Sequence, residues 1–145
     1  MKSMWWFASA TMLAACASGA SSSGTNACSV LRSGEVAAAM NEPVSNVVRI
    51  SPDRCRYFGR NPADFITVRA SESGARTLFA GTGLGAGLLR LPHAQSAGIG
   101  DESYWADRTL WVRKGDAFVA IDMGTAAVDQ VAAGTKLARI AVSRL

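Results

Sequence analysis

The sequence predicts a single small α+β domain: an antiparallel sheet with a short N-terminal helix and a C-terminal helix packed on one face. Three observations carry that expectation. β-Branched and aromatic runs separated by turn signals recur from Val47 onward, an alanine-rich stretch precedes them, and apolar residues at helical spacing close the chain. The length agrees, since 145 residues, 49% hydrophobic and 18% charged, suit one core rather than two. Fifteen Lys and Arg against eleven Asp and Glu give a net charge of +4, well short of a nucleic-acid-binding footprint.

Taken in order, Ser33 is the expected N-cap of a helix through Glu35-Val36-Ala37-Ala38-Ala39-Met40, which Asn41 and Pro43 end. Val47-Val48-Arg49-Ile50, Cys55-Arg56-Tyr57-Phe58 and Phe65-Ile66-Thr67-Val68-Arg69 follow as three strands of a meander, parted by Ser51-Pro52-Asp53 and Asn61-Pro62. In the third, Phe65, Thr67 and Arg69 alternate with Ile66, Val68 and Ala70, so one face is more polar and only one need be packed. Residues 73–100 read as a loop with one short element. Their Gly81, Gly83, Gly85 and Gly87 lack the strand, helix and Lys-Ser/Thr context of a phosphate-binding loop. Tyr104-Trp105, Thr109–Arg113 and Ala117–Met123 are the strongest strand signals. Lys114-Gly115-Asp116 is expected to join the last two as a hairpin, with Arg113 facing Asp116 and Trp111 facing Phe118. From about Ala126 to Arg144, Val128, Val131, Leu137, Ile140, Ala141 and Leu145 recur at helical spacing, with a break expected at Gly134.

The N-terminus carries an address. Lys2, the apolar run Met4–Leu13 and the small residues Ala14 and Ala15 before Cys16 have the layout of a secretory signal. The run falls short of the about 20 apolar residues that a membrane-spanning helix needs. Leu13-Ala14-Ala15-Cys16 resembles the bacterial lipobox, which implies acylation of the Cys16 thiol and cleavage just before it. The organisation is then a signal peptide over 1–15, a lipidated cysteine with a Gly/Ser tether over 16–26, and the domain over 27–145. A tether of this composition reaches roughly 17 Å. Ala17 stands where an aspartate would imply inner-membrane retention, so the resemblance implies outer-membrane sorting where a cell has two membranes.

With Cys16 committed to lipid, Cys28 and Cys55 form an even pair in an oxidising compartment, and a disulfide between them contributes about 3.5 kcal/mol and is expected to pin the first helix to the second strand. A zinc site lacks ligands, because His93 is the one histidine and has no cysteine nearby. No metal or cofactor is therefore expected. Gly98-Ile99-Gly100-Asp101-Glu102-Ser103-Tyr104-Trp105, the Lys114-Gly115-Asp116 hairpin, the cysteine pair and the closing helix together resemble a family of small exported bacterial lipoproteins without a known activity. That resemblance spans most of Cys28 to Leu145 and implies export and anchoring, and it brings no activity to carry onto these residues.

Two kinds of site remain candidates. Asp101 and Glu102, or His93 with a serine, offer the groups of an envelope hydrolase, but adjacent acids do not converge on one substrate and no nucleophile-elbow motif is present. Asp101 is better read as a turn cap. Tyr104, Trp105 and Trp111, with Tyr57 and Phe118, offer an aromatic surface for glycan or peptide, set against ordinary core burial. Arg54, Arg56 and Arg60, with Arg49 and Arg69, offer a basic patch for phosphate-bearing envelope polymers, set against a solvated face. The sequence therefore points to a membrane-anchored envelope lipoprotein, non-enzymatic, that binds another envelope protein or polymer or serves structurally, with the hydrolase as the alternative.

Overall fold

The computed structural model describes residues 25–81, 98–126 and 128–145. Cys16, the leader, most of the tether and His93 lie outside them, as do Gly83, Gly85 and Gly87. The elements are α1 (Ala27–Val30), α2 (Ser33–Met40), β1 (Asn46–Ser51), β2 (Arg54–Phe58), β3 (Phe65–Ser71), α3 (Ala75–Gly81), β4 (Glu102–Ala106), β5 (Thr109–Lys114), β6 (Ala117–Asp122) and α4 (Gln130–Val142). The strands form one antiparallel sheet in the order β1-β2-β3-β6-β5-β4. Two three-stranded meanders thus join through β3 and β6, and the α+β architecture is the expected one.

Register sorts every strand residue onto one of two faces, because directly opposed residues point the same way. Cys55, Val68, Ile121, Leu110 and Trp105 form one continuous row across the sheet, and Ala70, Val119, Val112 and Ser103 form the next. These side chains are all buried, against Leu31 and Val36 from the N-terminal segment and Leu137, Ala138 and Ala141 from α4. Fully burying one such Val, Leu or Ile contributes about 1.5–3 kcal/mol, so this face holds the fold together. The Cys28–Cys55 disulfide, with Cα atoms 5.0 Å apart and 27 residues of separation, fastens α1 to β2. Tyr57 Oη donates to the Leu31 carbonyl at 2.7 Å, which satisfies its one buried polar atom.

Four local expectations are corrected. Ser33 is the first residue of α2 rather than its cap: Arg32 occupies the extended cap position, and its N–H donates to Glu35 Oε2 at 2.8 Å. A glutamate three residues on reaches back to the cap amide, so the helix entry uses Glu35. Cys28 lies in the separate one-turn helix α1, capped by Asn26 Oδ1, so the disulfide holds α1 and not α2. The β5–β6 hairpin is offset by two residues from the expected pairing. Arg113 opposes Phe118, Trp111 opposes Ala120, and Gly115-Asp116 is the two-residue turn, with Gly115 at φ +62° supplying the backbone such turns require. A shift of two preserves the faces, so Trp111 and Phe118 still stack, diagonally, with centroids 6.3 Å apart.

Gly134, finally, does not break α4. A Cβ there would lie 2.5 Å from the Trp105 ring, so the glycine makes room for the indole to lie against the helix. The buried stripe of α4 is accordingly small: Ala133, Gly134, Leu137, Ala138 and Ala141 face the sheet, while Val131 is 56% exposed.

Candidate functional site

The second face of the sheet carries the other half of each alternation. Arg54, Arg69, Ala120, Trp111 and Tyr104 form one row across five strands, and Val48, Arg56, Thr67, Asp122 and Thr109 form the row beside it. One end of this face is covered by α3, whose Phe79 meets the Tyr104 ring at 5.4 Å and joins a small cluster with Ala75 and Phe118. The hairpin positions that helix: Asp116 Oδ2 accepts from the Gly74 N–H at 3.2 Å and Oδ1 from the Arg76 N–H at 3.3 Å. Those two amide bonds hold the Asp116 carboxyl below its usual range.

Beyond α3 the face is open and concave. A groove of about 330 Å³ is lined by Arg54, Arg56, Thr67, Arg69, Thr109, Trp111, Ala120 and Asp122, a volume within the range of small-ligand sites. Its shape follows from side-chain size, since Thr67, Thr109 and Ala120 leave a floor between the arginines on β2 and β3 and the indole on β5. Each arginine is held differently. Arg56 Nε donates to Thr67 Oγ1 at 3.1 Å while its guanidinium lies 4.5 Å from the Phe65 centroid. Arg69 Nε pairs with Asp53 Oδ2 at 2.9 Å and lies over the Phe118 ring. The Asp53 carboxyl is held below its usual range, first by the Ser51 hydroxyl and then by Arg69. Arg54 has no partner among the described residues. Asp122 Oδ1 accepts from the Gly124 N–H at 2.8 Å, and its other oxygen takes no bond among the described residues.

The structure divides the expected surface residues. Arg54, Arg56 and Trp111 come together at the groove, and Arg69 joins them. Arg49 opposes Cys55 and so stands on the helix-covered side of edge strand β1. Arg60 follows β2, with its N–H bound to Glu42 Oε2 at 3.2 Å, and does not line the groove. Of the candidate aromatic surface, Trp105 and Tyr57 instead follow the core burial set against it, because strand alternation turns both toward the helices. Tyr104 shares the groove's face but is buried beneath α3; its Oη has no partner among the described residues, and burial, then Glu102, pushes its pKa up to about 12. Thr67, Ala120 and Asp122 were not singled out from the sequence. The alternation already noted in β3 would have given Thr67, whereas Ala120 and Asp122 follow only once β6 is known to pair with β3.

The acids considered for hydrolysis have other partners. Asp101 Oδ2 accepts from the Gly115 N–H at 2.6 Å and lies 3.6 Å from Arg113, and Glu102 pairs with Arg113 at 3.3 Å. The Gly-Asp segment and the Lys-Gly-Asp hairpin, far apart in sequence, are therefore one interlocked corner. Among the described residues no three His, Cys, Asp or Glu side chains gather to hold a metal, and no helix is long and apolar enough to cross a membrane. No protein-family model, curated protein or solved structure matches the chain. The chemistry of the groove has to be read from its own residues.

Proposed function

We propose that this protein is a lipid-anchored cell-envelope binding module that holds an anionic part of another envelope component in the groove of its open sheet face. The observation that carries the reading is the gathering of Arg54, Arg56 and Arg69 around a floor of small side chains, with a carboxylate pairing only Arg69. Arg54 and Arg69, opposed on neighbouring strands, repel each other, and Asp53 relieves only the Arg69 side of that pair. An anionic ligand offsets that repulsion. The anchor rests on Leu13-Ala14-Ala15-Cys16, and a tether of roughly 17 Å keeps the groove close to the membrane surface. A hydrolase built on Asp101 and Glu102 is less well supported, since Arg113 and the hairpin amide already engage both acids.

Two measurements test the reading. Metabolic palmitate labelling of the full chain is expected to mark the wild type and to fail in Cys16→Ser; an unmarked wild type overturns the anchor. The full chain is then titrated by calorimetry with oligogalacturonate, oligoglutamate and oligophosphate at physiological salt. At least one binds, and Arg54→Gln with Arg56→Gln weakens it tenfold or more. If none binds, or the double variant binds equally well, the module is not an anion binder.

A further inference from the structure

Resting on that binding reading, we propose that the groove takes a carboxylated saccharide, a sugar chain bearing carboxylates on its rings. The deciding residue is Asp122. A site meant only for a polyanion gains nothing from a carboxylate in its wall, which repels the ligand and weakens the attraction of the arginines. Yet Asp122 stands in the row of Arg56, Thr67 and Thr109, lines the groove, and keeps one oxygen without a partner among the described residues. A ligand that benefits from Asp122 and from the arginines together must present hydroxyl donors beside its negative charge. Phosphate chains lack such donors, and an oligopeptide offers only its backbone amides, away from its carboxylates. Acidic sugars have both.

The opposite wall agrees. Trp111 offers an indole face, braced from behind by Phe118, whose rings are inclined by 30°. A pyranose presents a face of C–H bonds that suits an aromatic ring, and the neighbouring Thr109 supplies a further hydroxyl partner. Between Arg69 and Trp111 the register inserts only Ala120. Their backbones therefore stand about 10 Å apart over a methyl floor, beside the Phe118 ring that both side chains contact. Arg54, unpaired, and the terminal nitrogens of Arg56 can take a carboxylate in the two-pronged geometry that guanidinium and carboxylate share.

The test is calorimetric titration of the full chain, in nonionic detergent, with oligogalacturonate, oligoglutamate of equal charge, neutral maltooligosaccharide and glucose 1-phosphate. Oligogalacturonate is expected to bind at least tenfold more tightly than each of the others. Trp111→Ala loses tenfold or more and Trp111→Phe restores most of it. Asp122→Asn, which keeps an acceptor for the Gly124 amide, weakens oligogalacturonate and strengthens oligoglutamate, collapsing the preference between them. Far-ultraviolet dichroism establishes that each variant is folded. Equal binding of oligoglutamate by the wild type overturns the saccharide while leaving anion binding intact; equal binding of maltooligosaccharide or tighter binding of glucose 1-phosphate overturns the carboxylate requirement. If no anion binds, both readings fall.

Discussion

The two faces of the sheet are made by the same strands and have opposite fates. Along β2, Cys55 and Tyr57 are buried beneath the helices while Arg54 and Arg56 border an open groove; along β5, Leu110 and Val112 are buried while Trp111 is only partly buried, against the cluster beneath α3. Trp105 and Trp111, on adjacent strands, condense the contrast. One indole lies against the glycine of α4 and completes the core; the other forms a groove wall. Packing leaves the covered face no freedom in shape, since each buried side chain must fill its own space. The open face is released from that demand, so its residue types are available for recognition.

The largest effect expected from breaking this contrast is in the tryptophans. Trp105→Ala should cost about 3–5 kcal/mol in chemical denaturation, the range for removing a buried aromatic, and Trp111→Ala less than half as much. Equal losses would mean that the open face is a second core. Next, replacing Cys28 and Cys55 by serine together should cost about 3.5 kcal/mol by freeing the unfolded chain, with no change in the groove's ligand affinity. Gly134→Ala should cost about 1–3 kcal/mol, because the added methyl meets the Trp105 ring, and its urea midpoint should fall accordingly.

The smallest effect sharpens how the helix layer is closed. Arg144 binds both oxygens of Glu35, at 2.6 and 2.8 Å, linking the start of α2 to the end of the chain. The Arg144 bond, then the Arg32 amide, lowers the Glu35 pKa from 4.5 to about 2. A depressed carboxylate stabilises the fold above its unfolded value and ceases to do so as it protonates. Stability should therefore decline between about pH 4.5 and pH 2 in the wild type, and Glu35→Gln should flatten that part of the pH profile of the urea midpoint.

Much of this fold was legible because its signals are local. The turn residues around Pro52 and Pro62 and the alternation of Phe65–Ala70 place β1 to β3, and the cysteine pair was readable once the lipobox resemblance set Cys16 aside. Where reading failed, distance in sequence was the cause. Gly134 looks like a helix breaker until Trp105, on another strand, is laid against it. The β5–β6 register is an exception: Gly115-Asp116 is itself a two-residue turn signature, which Asp101 and the Gly74 and Arg76 amides only fasten from outside. The groove was half legible: its arginines cluster in the chain, while Ala120 and Asp122 carry no signal of their own.

Taken alone, the chain determined its strands and which residues alternate together, because a two-residue period depends on neighbours along the backbone, and its disulfide once the lipobox resemblance set Cys16 aside. Only the tertiary structure decided which set of alternating residues the helices cover. It alone brought β6 between β3 and β5, where Ala120 separates Arg69 from Trp111. Strand order and face coverage are set by the joint burial of side chains remote in sequence, and no local pattern records that free energy.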